Sequence, residues 1–354
     1  MDKLVIEDFK KNYKQFNSLV NNENILKVFV LGNTRLNGSD DYYFTPIRRH
    51  ENIILFGAVV FSEIEAEIIL KLADGLFDFI YVDAEKKSKK SFSNGIFNLE
   101  RLASELVSKS GLRFYKGNDI TTESINNFIV NYFGTKNKLI GGLNILIVGI
   151  GNLGFKLALK LVERGANVFL LSRDFKKAKV VSDTINMIKP KETLASVVPI
   201  NGISDKNIFD IAKYLDVVLL THLSTIPEYS NFYLSLNSNA LFLDVGKGCL
   251  SSEQLDSLSN KGVTCYRSDV GDELLHFILS DSKKSIIRKI NLETKKHGEI
   301  RIIPPGVIGL EGDVVVDDIN FVRIVYGICD GKGSFKKIIS DSEESLLNEI
   351  KKNE

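Results

Sequence analysis

The chain has 354 residues, 44% hydrophobic and 26% charged, which is ordinary globular composition with room for two domains and an extension. A net charge of +1 provides no global field for nucleic acid or an anionic membrane. No run reaches the roughly 18 uninterrupted apolar residues of a membrane span. The three cysteines, Cys249, Cys265 and Cys329, are widely spaced. They suit a reduced, cytoplasmic protein without a disulfide frame or zinc-ligand spacing. The charged start, MDKLVIEDFKKNYKQF, lacks the apolar core of a signal peptide.

Residues 1–20 read as an amphipathic helix, with Leu4, Phe9, Tyr13, Phe16 and Leu19 near one face. A strand over 27–31 ends at Gly32, and a polar loop rich in Asn, Gly and Asp runs to Pro46, followed by the basic cluster Ile47-Arg48-Arg49-His50. A strand over 53–56 leads to a capping-box pattern, Ser62 and Glu65, before a helix. Further expectations are a strand over 77–82, a helix over 97–107 and a short strand over 112–115. A helix capped by Thr121 or Thr122 then runs to about Phe133. The alternation indicates an α/β domain, with its linking helix, over 1–134.

The stretch 134–142, GTKNKLIGG, has the glycine and polar charge of a domain boundary. An apolar run over 144–148 then reads as a buried strand, and Gly149, Gly151 and Gly154 follow in the spacing GxGxxG. A helical pattern and a second apolar strand over 168–171 complete a βαβ unit of about 30 residues. The first glycine permits the tight turn, the second lets backbone approach a pyrophosphate closely, and the third lets helix pack on strand. Asn152 and Leu153 share the helix N-terminus, whose N–H groups and dipole favour phosphate. Dinucleotide binding is the reading; the alternative is a glycine-rich turn that binds nothing.

A unit that binds NAD places an acid at the end of the second strand for the ribose 2′-hydroxyl. Here Ser172 and Arg173 occupy that place, with Lys176, Lys177 and Lys179 on the next turn. A hydroxyl and a guanidinium suit a 2′-phosphate, so NADP is expected ahead of NAD. An exposed basic turn is the rival account, and Asp174 leaves room for it. Beyond lie a helix over 175–188, a strand near 195–199, a helix over 205–214, and strands over 216–220, 241–245 and 263–266. The loops after the last three, including Thr221, His222, Gly246 and Lys247, should line the crevice at the strand ends. This second domain is set at 135–275.

Residues 276–354 form an α+β extension: a helix over 273–290, short strands over 299–303, 313–316 and 322–328, and a polar terminal helix over 336–354. Asp313, Asp317, Asp318 and Asp330 fall near turns. Carboxylates suit hard cations, but turn acids without a ligand are commoner, and no metal is assigned.

The arrangement resembles the amino-acid-dehydrogenase-like group of Rossmann proteins, which includes shikimate dehydrogenase, methylenetetrahydrofolate dehydrogenase and glutamyl-tRNA reductase. A smaller α/β domain comes first, then a helix, then Leu139-Ile140-Gly141-Gly142 before the glycine-rich turn. Ser172-Arg173-Asp174 is similar to the Asn-Arg-Thr of shikimate dehydrogenases, and Lys86 or Lys87 and Gly117-Asn118-Asp119 match in part their lysine and Asn-Thr-Asp. The Val-Thr-x-Pro lead-in to the family lysine is missing. The resemblance implies a doubly wound NAD(P)-binding domain and an oxidoreductase that moves a hydride to or from a small polar metabolite, an acid or amino acid, held between two α/β domains.

The expected catalytic pair is Lys86 (or Lys87) and Asp119, emerging at neighbouring strand ends, a lysine and an orienting acid able to pass a proton. Their rivals are a solvated basic loop and a simple helix cap. His222 is a further acid–base candidate or a polar lining residue. Arg48 and Arg49 could bind a substrate carboxylate or face solvent, and Cys249 and Cys265 read as structural thiols. A second function class is an NAD(P)-binding sensor or partner-binding subunit without net redox turnover. A third uses NAD(P) catalytically in an elimination or cyclisation. Homo-oligomerisation is left open.

Overall fold

The computed structural model describes residues 2–20, 25–33, 42–50, 52–85, 98–202, 206–222, 224–287, 294–298 and 300–352. The chain separates into two compact units, Met1–Phe277 and Ile278–Glu354.

The first unit begins with helix α1 (Asp2–Ser18), followed by strands β1 (Leu26–Asn33), β2 (Tyr42–Phe44), β3 (Arg48–His50) and β4 (Ile53–Val60). Then come α2 (Glu63–Ala73), β5 (Phe79–Asp83), α3 (Leu99–Leu106) and β6 (Gly111–Tyr115). The sheet order is β2-β4-β1-β5-β6, with β3 also on β4. The four longer strands are parallel, and β2 and β3 run antiparallel to β4. Strands covered on both faces need apolar side chains on both, and IILFGAVV in β4 supplies them. On α1 the buried positions are Val5, Phe9 and Phe16, whereas Leu4, expected on the apolar face, is exposed. Phe9, Phe16, Phe29, Phe56 and Phe77 pack ring on ring with centroids 5.0 to 6.4 Å apart.

Two expectations need correction here. The basic cluster Arg48–His50 is not loop but an edge strand, and Tyr42–Phe44, inside the expected polar loop, is another. Three-residue strands have too little pattern to read; the exposed hydrogen-bonding rim of β4 selects them. Helix α4 (Gly117–Gly134) also starts earlier than a cap at Thr121 or Thr122 requires. Both threonine hydroxyls donate back into the helix, to Gly117 O (2.8 Å) and Asn118 O (2.7 Å). The cap comes instead from outside the segment, as described below.

The second sheet is built from β7 (Asn144–Val148), α5 (Asn152–Glu163), β8 (Asn167–Leu171), α6 (Phe175–Ile188), β9 (Val197–Ile200), α7 (Lys206–Ala212) and β10 (Val217–Leu220). It continues with α8 (Ser230–Ser235), β11 (Leu241–Asp244), α9 (Ser252–Asn260), β12 (Cys265–Arg267) and α10 (Gly271–Ile287). All strands are parallel in the order β12-β11-β10-β7-β8-β9. This is the doubly wound arrangement, whose direction reverses between β7 and β10. One core face includes Ile145, Ile147, Leu157 and Leu161, with Ile125, Ile129 and Phe133 of α4 packed among them. The linking helix thus belongs to this core by its apolar stripe.

The second unit has β13 (Lys295–His297), β14 (Ile300–Ile303), β15 (Val314–Val316) and β16 (Val325–Ile328) in sequential order, with α11 (Asp341–Lys352). Ile302, Val314, Val316, Ile328 and Ile350 form its main core. The turn acids close their own turns. Asp313 takes the Arg301 guanidinium and Leu310 N–H. Asp317 takes the N–H groups of Arg323 and Ile324, and Asp330 those of Lys332 and Ser334. Among the described residues, no helix is long and apolar enough to cross a membrane.

Candidate cofactor crevice and the facing sheet edge

The glycine-rich turn lies between β7 and α5. Gly149 has φ of 102°, a left-handed conformation that a Cβ makes costly. Its N–H donates to Leu171 O at 2.9 Å, tying the turn to β8. A Cβ on Gly154 would collide with the Gly149 carbonyl oxygen and lie 3.1 Å from Thr221 Oγ1. Thr221 Oγ1 donates to that same carbonyl at 2.8 Å. Gly151 differs: it is the N-cap of α5, no side chain caps the helix, and a Cβ there would meet nothing within 4 Å. The turn therefore holds its shape through the first and third glycines. At the second it leaves a helix N-terminus bare, with space for an oxyanion to approach. Leu153 packs on the apolar core, and Asn152 Oδ1 accepts from Asn118 Nδ2 at 3.2 Å.

At the end of β8, Asp174 N donates to Ser172 Oγ at 3.2 Å. The Asp174 carboxylate accepts Lys177 N–H at 3.0 Å and caps α6. The one acid of this turn is thus directed at its own helix. Arg173 and Lys177 are exposed, and the Arg173 charge acts on both His222 and Tyr229.

Across the switch point, the His222 backbone is squeezed between glycines. A Cβ on Gly149 would lie 3.2 Å from His222 N, and one on Gly246 would collide with His222 O. The His222 ring places Nδ1 2.6 Å from Ser224 O. A carbonyl only accepts, so Nδ1 carries the proton. Burial pushes the imidazole below its ordinary value and Arg173 acts in the same sense, against the Ser224 carbonyl and Asp244. Asp244 accepts the N–H groups of Lys247 (2.9 Å), Gly248 (2.8 Å) and Cys249 (3.2 Å). It thereby holds Lys247 at φ of 63°. Cys249 is fully buried, and its thiol donates to His222 O at 2.9 Å. Burial, then Asp244, push that thiol far up, and burial takes Cys265 to about 11. Neither is a nucleophile at neutral pH.

The C-terminal edge of the first sheet is differently arranged. Asp83 Oδ1 accepts Gly117 N–H at 3.1 Å and Glu85 Oε2 accepts Asn118 N–H at 3.0 Å, so two acids from another strand end cap α4. Asn33 Nδ2 donates to Glu85 O at 2.8 Å. Tyr115 is half-buried near Asp83, Glu85 and Tyr43, and loss of solvent around the phenol first, then these groups, raise its pKa well above the ordinary value.

Lys86 and Lys87 lie outside the described residues. Asp119, the other half of the expected pair, ion-pairs with Lys156 of α5, which is also 3.9 Å from Glu85. Lys160 and Glu123 repeat the contact one turn on. Arg48 and Arg49 do not stand free to take a substrate carboxylate. Arg48 Nη2 is 3.1 Å from both carboxylate oxygens of Asp269, and Arg49 Nη1 donates to Leu19 O at 3.2 Å. The partners of these arginines come from distant segments, which a sequence window does not show. Thus Gly149, Gly151, Asn152, Gly154, Thr221, His222 and Gly246 come together around one turn, with Ser172, Arg173 and Lys177 at the neighbouring strand end. Asp119 joins the α4–α5 seam.

No family model matches the chain. It is 27% identical over 219 residues to the glutamyl-tRNA reductase of Sulfurisphaera tokodaii, a match covering 60% of this chain and 47% of that one. The chain thus spans about half the length of this curated relative. The shikimate dehydrogenase of Aquifex aeolicus is similar over 74% of this chain and 94% of its own, with 14% identity and a TM-score of 0.43. The quinate dehydrogenase of Corynebacterium glutamicum, solved in complex with NAD, is similar over 71% of this chain and 90% of its own, with 15% identity and a TM-score of 0.39. Glutamyl-tRNA reductase is one of the proteins named in the sequence resemblance.

Proposed function

We propose that the chain is an NAD(P)-dependent oxidoreductase of the amino-acid-dehydrogenase-like Rossmann group. In this reading it transfers a hydride to or from a small polar acid or amino acid held between its two α/β sheets, and it prefers NADP. The observation that carries the reading is the turn at 149–154. Its first and third glycines are required by conformation and packing, while the second leaves an uncapped helix N-terminus with open space above it. That is the geometry a pyrophosphate needs. The preference for NADP rests on Ser172 and Arg173 at the end of β8, with Asp174 turned into its own helix. When bound, the cofactor supplies the hydride chemistry. The chain supplies backbone N–H groups for the phosphates and a cation for the 2′-phosphate.

Fluorescence titration with NADPH and NADH tests the reading, with Arg173→Ala alongside. NADPH should bind more tightly, and the variant should lose that preference. Equal affinities, or an unchanged preference in the variant, would remove the NADP assignment. A second reading, a dinucleotide-binding sensor without turnover, is favoured by the engagement of Asp119 with Lys156, which occupies the acid expected to orient the catalytic lysine. Screening 2-keto, 3-keto and enoyl acids for NADPH oxidation separates the two: turnover with any of them rejects the sensor.

A further inference from the structure

One ring atom at the end of β10 lacks a partner. Among the described residues, His222 Nε2 is buried from solvent and has no hydrogen-bond partner. The other ring nitrogen is committed, since Nδ1–H donates to Ser224 O at 2.6 Å. The neutral ring therefore presents a bare lone pair at Nε2, at the end of β10 and beside the glycine-rich turn. A buried acceptor without a donor carries an uncompensated desolvation cost, which is relieved when a ligand brings the missing donor.

We propose that His222 Nε2 accepts a hydrogen bond from an O–H or N–H group of the bound dinucleotide, and so acts as a cofactor-positioning residue. This rests on the dinucleotide reading above. Three observations carry it. The backbone of His222 has no freedom to withdraw, because Gly149 and Gly246 pack against its N and O atoms. Thr221, its neighbour, is bonded to the carbonyl of Gly149, which fixes the register of β10 against the turn. Finally, the Ser224 carbonyl selects the tautomer: with the proton on Nδ1, Nε2 can only accept, so the ligand must bring the donor. Burial and Arg173, which favour the neutral ring over the pull of Asp244, act in the same sense.

The test uses the full chain labelled with ¹⁵N-histidine; with four histidines in the sequence, a His222→Gln variant assigns the signal. Free protein at neutral pH should show a protonated Nδ1 and a bare Nε2. At NADPH saturation, confirmed by its fluorescence, the Nε2 resonance should move upfield while Nδ1 stays protonated. The adenosine half alone, added as 2′,5′-ADP, locates the donor. A response to it places the donor on the adenosine half; a response only to whole NADPH places it on the nicotinamide half. His222→Leu should weaken NADPH roughly tenfold and His222→Gln, which keeps an acceptor at the ε position, by no more than about threefold. If NADPH saturates and Nε2 does not move, this role is wrong while the dinucleotide reading stands. If NADPH does not bind the native protein at all, both fall. Should the leucine variant not fold, the wild-type spectrum decides alone.

Discussion

The two sheets of the first unit end in opposite ways at the C-terminal edges of their parallel strands. At the C-terminal edge of the first, the chain supplies its own ligands: Asp83 and Glu85 close the N-terminus of α4, and Asn33 braces the loop that carries them. At the same edge of the second, Gly149, Gly154 and Gly246 let backbone pack against backbone, and Gly151 leaves the N-terminus of α5 open. Both edges lead into a helix N-terminus with the same unsatisfied donors. One is filled by carboxylates from within and becomes a joint. The other stays bare and can take an anion from solution.

The sharpest way to break this contrast is within the bare edge itself. Gly154→Val drives a side chain into the Gly149 carbonyl and should cost about 3 kcal/mol of unfolding stability, measured by urea denaturation, with loss of NADPH binding. Gly151→Ala meets no neighbour within 4 Å. It should leave the melting temperature unchanged while weakening NADPH by at least about tenfold. A Gly151→Ala protein that binds like the wild type would show that the open space is not the phosphate cradle.

Next in size is Arg173→Ala. A charge-assisted contact to a 2′-phosphate is worth about 1.5–3 kcal/mol, so the NADPH dissociation constant should rise roughly 10- to 100-fold while that of NADH stays put. On the filled edge the signs reverse. Asp83 is 2% exposed, and Asp83→Ala leaves the Gly117 N–H without its acceptor. That change should cost about 1–3 kcal/mol of stability with NADPH affinity unchanged in the folded protein. If the dissociation constant moves instead, the two edges are not independent.

The smallest effect is a pH dependence. Burial holds the His222 imidazole below its ordinary 6.5, so on acidification the unfolded chain takes up the proton first. The stability contributed by the neutral ring is full above about pH 6.5 and is lost as the pH falls through the lower folded-state value. Asp244 and Arg173 are the charges that act on this ring, with opposite signs. Denaturation midpoints measured downward from pH 7 should fall less steeply in His222→Gln than in the wild type.

What the sequence discloses follows from the range of each signal. The strand over 144–148 and the helix over 175–188 match β7 and α6 residue for residue, because apolar runs, glycine spacing and an Asp cap are all written within a few positions. The Ser62–Glu65 capping box is likewise local and is formed. A second box, Ser251 with Gln254, was equally legible and marks α9, a helix absent from the expected elements. The start of α4 was not legible, since its caps lie 34 and 33 residues upstream. The role of Arg48 was not legible either. An arginine beside another arginine suits a carboxylate ligand, and the carboxylate it holds belongs to Asp269, 221 positions away. The tautomer of His222 depends on where the Ser224 carbonyl points, which no residue pattern encodes.

Cys249 gives the crevice a built-in chemical clock. Its sulfur is fully buried, bonded to the His222 carbonyl and held as the thiol, and only a thiolate reacts with alkylating reagents. Modification of Cys249 therefore waits for the β11 end to open, and its rate counts those openings in the native protein. A dinucleotide seated against the turn stabilises the closed form by mass action. Alkylation at this one position should slow as NADPH is added, while Cys265, which is only half-buried, serves as the internal reference. Mass spectrometry of the labelled peptide would then report occupancy of the crevice without any knowledge of the substrate.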